Sequence, residues 1–241
     1  MIRTLWVAIT GTLATLFYGL PIIVTSFFRP NERMYDRLTR RWSKFILRRS
    51  GVSLYAEGLD HVALDAPQIF LSNHQSLYDV FALVNLIPKR YRFVGKKELE
   101  RIPIFGQSWK AAGHISLDRK DRAAAIRALD AAGEVIRNDA SSVVVFPEGT
   151  RSPDGNLLPF KKGAFMLALR TGVDIVPVAV LGSRAVLPKG KWRIRGGPII
   201  VRFGEPIRTA EWPIAQRNEL MAEVRARIEE LLARPAPTLQ R

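Results

Sequence analysis

The sequence contains no cysteine among its 241 residues. This absence excludes disulfides, a thiol nucleophile, an acyl-cysteine intermediate and metal sites built from thiolates. Histidine is scarce as well, and His61, His74 and His114 are too widely spaced to form a local metal motif. The sequence therefore predicts no metal site, and any histidine chemistry must depend on one of these three residues.

Acidic residues are few compared with basic ones. The 22 Asp and Glu residues are outnumbered by 37 Lys and Arg, which gives a formal net charge of +15. Such an excess predicts a polyanionic partner: nucleic acid, an anionic membrane surface or phosphorylated substrates. A hydrophobic fraction of 47% over this length is typical of one globular domain rather than a disordered chain. The GxxxxGK[ST], GxSxG and GxGxxG motifs are also absent, so the common phosphate loop, nucleophile elbow and dinucleotide fingerprint are excluded.

One long apolar run is present at the N-terminus. Residues 4–28 carry no charge and are long enough to cross a bilayer as a helix, although Gly19 and Pro21 would also allow a shallow hairpin in one leaflet. A secretory signal peptide fits less well, because the run is long and lacks a clear cleavage site. Residues 34–47 place apolar side chains at helical spacing among cations, as in a helix lying on a membrane surface. The cations that follow the run predict that the next domain lies in the cytoplasm, namely Arg29, Arg33, Arg37, Arg40, Arg41, Lys44, Arg48 and Arg49.

Beyond this anchor, short apolar strands alternate with helical patterns, which predicts an α/β layered domain. The predicted organisation is a membrane-anchoring segment over residues 1–50, an α/β domain over 51–234 and a loose tail over 235–241. Pro177 predicts an edge or an irregular position for the strand over 175–181. Gly196-Gly197-Pro198 predicts a hairpin between strands at 192–195 and 199–203.

The most informative stretch runs from Ile69 to Ile87, where a buried strand ends in a turn containing His74 and a buried helix follows. On a regular helix His74 and Asp79 would be separated by about 500° of rotation and would point apart. They can meet only if His74 lies in the turn and Asp79 in the first helical turn. The functional interpretation is a carboxylate that orients a basic imidazole. The alternative is a capping box over residues 76–79 in which Asp79 serves only the helix start, and this stretch alone leaves both open.

Two further turns carry polar groups. The segment from Glu148 to Arg151 offers backbone N–H groups beside an arginine, which suits a phosphate or an oxyanion. Lys96 and Arg119 flank the region between two other predicted strands. Taken singly, these residues fit a solvated turn and surface charges equally well or better.

Taken together, four sequence blocks resemble the glycerolipid acyltransferase family, specifically its members that act on 1-acylglycerol-3-phosphate. The family's NHxxxxD block corresponds to residues 73–79, and its FPEGTRS block is complete at residues 146–152. Its proline within a hydrophobic strand corresponds to Val176-Pro177-Val178. The remaining block matches Lys96, Glu98, Leu99, Pro103, Gly106 and the segment from Gly113 to Arg119.

This resemblance implies a layered αβα domain with a mixed sheet behind the N-terminal helices. It implies transfer of an acyl group from acyl-CoA or acyl carrier protein to the sn-2 hydroxyl of lysophosphatidic acid, with no cofactor. His74 would be the general base and Asp79 its partner. The implied phosphate site comprises Lys96, Arg119 and Arg151, with Glu148, Gly149 and Thr150 forming the pocket. The implied partners are membrane lipids, the acyl donor and lysophosphatidic acid, without nucleic acid. Alternatives are another acceptor, such as glycerol-3-phosphate, a lysophospholipid or a lyso-aminolipid, or a non-catalytic binder of anionic lipid or nucleic acid.

Overall fold

The computed structural model describes residues 1–118 and 121–235 of the chain. Two helices come first: α1 (Ile2–Phe28) and α2 (Glu32–Ser50). The first half of the domain then contains β1 (Val52–Glu57), β2 (Ile69–Ser72), α3 (Tyr78–Leu86), β3 (Tyr91–Lys96), α4 (Phe105–Ala111) and β4 (Ile115–Leu117). The second half contains α5 (Arg122–Asp139), β5 (Ser142–Val145), α6 (Gly163–Thr171), β6 (Ile175–Leu181), α7 (Ser183–Val186), β7 (Gly197–Phe203) and α8 (Arg217–Ala233).

The seven strands form one sheet in the order β1-β7-β6-β2-β5-β3-β4. Every neighbouring pair is parallel except β6 and β7, which are antiparallel, so the sheet is mixed as predicted. In β2, Phe70 faces a core shared with α2 and α3, whereas Ile69 and Leu71 face a second core shared with α5, α6 and α8. The predicted α/β layered architecture is therefore confirmed.

Pro177 lies inside the sheet, not at its edge, because β6 is flanked by β2 and β7. Pro177 has no backbone N–H, but no hydrogen bond from β6 to β7 is formed at this residue. The N–H of Ile175 is directed toward Ile207, and the proline nitrogen, two residues later, faces the same side. There the ladder with β7 is interrupted, since it begins only at the pair Val178–Phe203. Of the two predicted alternatives, the irregular position is therefore confirmed and the edge position is not.

The predicted hairpin around residues 196–198 is also wrong. Residues 191–196 form no strand, and β7 pairs instead with β1 on one side and β6 on the other. Residues 187–196 form a loop, with a turn closed by the N–H of Lys191 on the carbonyl of Pro188.

The N-terminal run is one continuous helix, and Gly19 and Pro21 do not break it. The tight turn instead lies between α1 and α2, where the Asn31 side chain accepts the N–H of Met34 and caps α2. Gly19 serves a close approach to α4, because a Cβ atom there would lie 2.7 Å from Ile104 Cγ2. The Ser108 hydroxyl donates to the carbonyl of Gly19 at 3.2 Å in the same contact.

The helix α2 is fastened to the sheet through buried Arg92 of β3. Its guanidinium donates to Asp36 at 2.9 Å and to Glu32 at 3.1 Å, and both acids lie on α2. Burial raises the pKa of Asp36, while Arg92 opposes that rise. Arg40 adds hydrogen bonds to three carbonyls at the end of α3. The two N-terminal helices are thus an integral part of the packed structure.

Candidate active site

The carboxyl ends of β2, β5 and β3 lie side by side in the sheet. Each is followed by one of the polar segments that the sequence singled out. The turn after β2 carries His74, the turn after β5 carries Glu148 to Arg151, and β3 itself ends at Lys96. Ligands bind to open α/β sheets at this kind of edge.

His74 and Asp79 are in direct contact, with Nδ1 of the imidazole 2.8 Å from Oδ2 of the carboxylate. His74 lies in the turn and Asp79 in the first turn of α3, as their contact requires. Because a carboxylate accepts hydrogen bonds, Nδ1 carries the proton, and Nε2 of the neutral ring is left as an acceptor. The imidazole also stacks on Phe146 with ring centroids 3.9 Å apart, which fixes its plane.

The same carboxylate oxygen also holds the turn that precedes α3. Oδ2 of fully buried Asp79 accepts the N–H groups of Gln75 at 2.7 Å and Ser76 at 2.8 Å. The capping box is incomplete, however, because the Ser76 hydroxyl accepts the N–H of Tyr78 and donates to the carbonyl of Leu187. Oδ1 of Asp79 has no partner among the described residues. Asp79 therefore both orients the imidazole and supports the start of α3.

The turn that carries His74 is held by its neighbours on both sides. The amide of fully buried Asn73 exchanges two hydrogen bonds with the backbone of Val180 on β6, at 2.7 and 3.0 Å. On the other side, the N–H of Ser152 donates to the carbonyl of His74 at 2.7 Å. The histidine backbone is thus fixed to two different neighbouring segments.

Glu148 also holds the backbone of His74 in place. Its carboxylate accepts the N–H of His74 at 2.7 Å and that of Leu158 at 3.0 Å. Burial raises the pKa of Glu148, and the two backbone N–H groups oppose the rise. Because the side chain is only 3% exposed and its oxygens face backbone amides, it shapes the site without presenting charge to it.

After Glu148, the chain turns at residues 149–151 toward an open cavity. Gly149 has a φ of +71°, a conformation that favours glycine, and it lets the chain turn directly after Glu148. Thr150 and Arg151 line a cavity that His74 also lines. No carboxylate lies within 4.0 Å of the Arg151 guanidinium in the described part of the chain.

The cavity has a volume of about 920 Å³ and a lining of two chemically different kinds. Its lining includes three cations and two further polar residues from the active-site turns and loops, namely Lys96, Arg151, Lys189, His74 and Thr150. The remaining wall is mainly apolar and comes from α1, α2, α3, β3 and α4, including Leu16, Ile22, Trp42, Val80, Phe81, Val84, Phe93, Leu99, Ile104, Phe105 and Trp109. Its size is that of a site for a substantial organic ligand. Of the predicted phosphate residues, Arg119 lies outside the described residues, and Lys96, Thr150 and Arg151 reach this cavity.

Lys189 and His114 also line this cavity and were not predicted as site residues. Lys189 follows α7, outside every sequence block considered above, and only its charge was visible. His114 lies between Phe93 and Trp109, with its ring centroid 4.3 Å from that of Trp109. Its Nδ1 lies 3.2 Å from the N–H of Phe93 and accepts it, so its proton is on Nε2. An isolated histidine before a strand gives no signal that separates this position from the surface.

Burial lowers the pKa of His114 to about 3, with a smaller contribution from the charge of Arg92. The unfolded chain takes up this proton near pH 6.5, so the folded state loses stability as pH falls from about 6.5 toward 3. The loss reaches about 1.4 kcal/mol per pH unit for one proton. His114→Asn, whose Oδ1 can accept the N–H of Phe93, is expected to flatten this slope. Urea midpoints in detergent between pH 4 and 7 measure it, and parallel pH profiles for both proteins would contradict the assignment.

Comparison with known proteins places these features in a family. The family model described as Acyltransferase matches residues 53–181, which is more than half of the chain. A 1-acyl-sn-glycerol-3-phosphate acyltransferase of Cocos nucifera is 36% identical over 193 residues, covering 80% of this chain and 61% of that relative. A protein of the same name from Salmonella typhimurium is 37% identical over 165 residues, covering 68% and 66%. The chain therefore matches somewhat less than two thirds of the length of these relatives.

A solved structure agrees over nearly the whole chain. The crystal structure of PlsC from Thermotoga maritima, titled a 1-acyl-sn-glycerophosphate (LPA) acyltransferase, is 29% identical to this chain. The two structures superpose with a TM-score of 0.82 over 98% of this chain and 97% of that protein. The similarity thus includes the two N-terminal helices as well as the sheet.

Proposed function

The chain belongs to the acyltransferase family, and we propose that it transfers a fatty acyl group to the sn-2 hydroxyl of 1-acylglycerol-3-phosphate, forming phosphatidic acid. The acyl donor in this proposal is a thioester, either acyl-CoA or acyl carrier protein. The observation that carries the proposal is that His74, oriented by Asp79, lines the same cavity as three cations and a large apolar wall. The names of the relatives support the choice of acceptor.

The proposed reaction is a direct transfer. Nε2 of His74 takes the proton of the acceptor hydroxyl while that oxygen attacks the thioester carbonyl carbon. A new C–O bond forms, the C–S bond breaks, and the imidazolium returns the proton to the departing thiolate. Asp79 holds the ring through Nδ1 and stabilises the positive charge that appears on it. Without a cysteine in the chain, a thioester to the enzyme is not an intermediate.

The apolar part of the cavity suits a fatty acyl chain, because burying each methylene contributes about 0.8 kcal/mol. The wall includes Leu16 and Ile22 of α1 and Trp42 of α2, so the cavity lies beneath the N-terminal helices. Lipid substrates would reach it most directly from a membrane in contact with those helices.

We further propose that α1 lies within one leaflet and does not span the bilayer. The helix is apolar and long enough to span, but both of its halves contact the same domain. Near its start Thr4 accepts the N–H of Ile194, and near its end Gly19 contacts Ser108. Its outer face exposes large apolar side chains, among them Leu13, Phe17 and Phe27. The cations of α2 would face anionic lipid on the cytoplasmic side.

The proposal is tested with purified protein in liposomes, lysophosphatidic acid and labelled acyl-CoA or acyl carrier protein. The expected result is labelled phosphatidic acid, together with co-flotation of the protein and the vesicles. Glycerol-3-phosphate, a lysophospholipid with a larger head group and a phosphate-free monoacylglycerol serve as alternative acceptors. Faster transfer to any of these would change the assigned acceptor. A protein that floats with vesicles but transfers nothing from either donor would contradict the proposed enzyme.

Arg151→Gln is expected to raise the apparent KM for lysophosphatidic acid about tenfold or more. A hydrogen bond to a charged partner is worth about 1.5–3 kcal/mol, and each 1.4 kcal/mol is a factor of about ten. The KM for the acyl donor should change much less. The matched control is Lys162→Gln, which removes one positive charge from an exposed residue outside the cavity. Equal increases in both KM values would contradict a role for Arg151 at the acceptor phosphate.

A further inference from the structure

Lys189 holds a position that none of the four sequence blocks predicts. It lies in the loop over residues 187–196, between α7 and β7, and lines the cavity together with His74 and Arg151. Its Nζ donates to the carbonyl of Arg151 at 2.7 Å and lies 3.3 Å from the hydroxyl of Thr150. The lysine therefore contacts the turn that carries Arg151.

Neither Lys189 nor Arg151 is paired with an acidic side chain in the described part of the chain. No carboxylate lies within 4.0 Å of Lys189 Nζ in residues 1–118 and 121–235, and the same holds for Arg151. An ammonium carries three N–H donors, and the two contacts with the 150–151 turn leave one for a ligand. Both cations line the same cavity without an acid beside them, so an anion that enters the cavity is attracted by both. This arrangement is what a phosphate site requires before its ligand arrives.

The loop fixes where this charge lies relative to the catalytic pair. The Ser76 hydroxyl, from the turn between His74 and Asp79, donates to the carbonyl of Leu187 at 2.8 Å. At the other end of the loop, the N–H of Ile194 donates to Thr4 of α1 at 3.0 Å. Lys189 is thus held in a set position beside His74 by contacts with both the active-site turn and the membrane helix.

We propose that Lys189 is a phosphate-binding residue, which together with Arg151 holds a phosphate monoester inside the cavity. This inference rests on the proposed function and extends it to a residue outside the family's blocks. Lysophosphatidic acid carries a phosphate monoester, and CoA carries one at its 3′ position. The experiment below separates these two sources. A phosphate held at this point would fix the distance between the acceptor's hydroxyl and Nε2 of His74.

The test compares Lys189→Gln with Lys191→Gln and Lys189→Arg. Lys191 is exposed two residues later in the same loop and does not line the cavity, so its variant removes the same charge without the contact. Initial rates are measured with each substrate varied in turn. We expect Lys189→Gln to raise the apparent KM for lysophosphatidic acid at least tenfold. Lys189→Arg, which keeps the positive charge, should raise this KM much less, and Lys191→Gln should leave it within twofold of the parent value.

The outcomes separate the possible sources. An increase confined to the KM for lysophosphatidic acid supports the acceptor's phosphate, and an increase confined to the KM for acyl-CoA supports the donor's phosphate. A lower kcat with both KM values unchanged would overturn the proposal, because it would indicate that Lys189 only supports the 150–151 turn. An equal effect of Lys191→Gln would overturn it too, because the cause would be net charge.

A second measurement does not depend on turnover. The thermal midpoint of each protein in detergent is recorded with lysophosphatidic acid and with monoacylglycerol, which lacks the phosphate. In the parent protein, lysophosphatidic acid is expected to raise the thermal midpoint more than monoacylglycerol does. In Lys189→Gln the two ligands are expected to raise it equally. If the parent transfers no acyl group but still shows this difference, the proposed function fails while the phosphate site stands. If Lys189→Gln keeps the whole difference, the phosphate site fails.

Discussion

His74→Ala is expected to lower kcat by about 10²–10⁴-fold, the usual contribution of a positioned general base. The side chain supplies Nε2, the acceptor for the hydroxyl proton in the proposed reaction. His114 lines the same cavity but does not replace it, because its Nδ1 accepts the N–H of Phe93 and its Nε2 carries the proton. Substrate binding should change little, because the cations and the apolar wall remain. The measurement is the initial rate of phosphatidic acid formation at saturating concentrations of both substrates.

The folded state of this variant should survive. After the substitution, Oδ2 of Asp79 still accepts two backbone N–H groups, and Glu148 still accepts the N–H of residue 74. His61→Ala is the matched control, because His61 contacts the carbonyl of Phe203 and does not line the cavity. It is expected to keep nearly the parental rate. A His74→Ala protein with more than about a tenth of the parental kcat would contradict general-base catalysis by this residue.

Much of the fold could be predicted because strand and helix periods differ and because some helices begin or end at strong local signals. Gly172 ends α6 in a left-handed conformation, and Asp121 caps α5 with hydrogen bonds to two backbone N–H groups. The placement of His74 in a turn and Asp79 on the following helix was predicted from the same local patterns. What these signals do not contain is the order of strands, which depends on packing between distant segments.

The open alternatives and the errors follow from that limit. Pro177 predicted an edge or an irregular position, and the choice between them depended on the gap in the β6–β7 ladder, which is a property of the whole sheet. Likewise, the glycines near residue 196 predicted a hairpin, whereas β7 found its partners in β1 and β6. Lys189 was missed for the same reason, since its place beside Arg151 depends on how the 187–196 loop crosses the active-site edge of the sheet.

The sequence also left open whether Asp79 serves catalysis or only the start of α3, and the structure shows that one oxygen makes both kinds of contact. Oδ2 accepts the imidazole N–H and two backbone N–H groups together. Two substitutions separate the two roles. Asp79→Asn keeps an oxygen that can occupy the place of Oδ2 but removes the negative charge, whereas Asp79→Ala removes both.

Asp79→Asn is therefore expected to lower kcat by about 10²–10⁴-fold while leaving the thermal midpoint near that of the parent. Its amide nitrogen would take the place of Oδ1, which has no partner among the described residues, so no existing hydrogen bond is broken. Asp79→Ala should lose a similar factor in kcat and also about 1–3 kcal/mol of stability, because the N–H groups of Gln75 and Ser76 lose their acceptor. For a chain of this size each kcal/mol lowers the thermal midpoint by about 2–4 °C. Circular dichroism melts and initial rates on the same samples measure both effects. If Asp79→Asn keeps its kcat and only Asp79→Ala is impaired, the carboxylate only holds the turn before α3 and its charge has no part in the reaction.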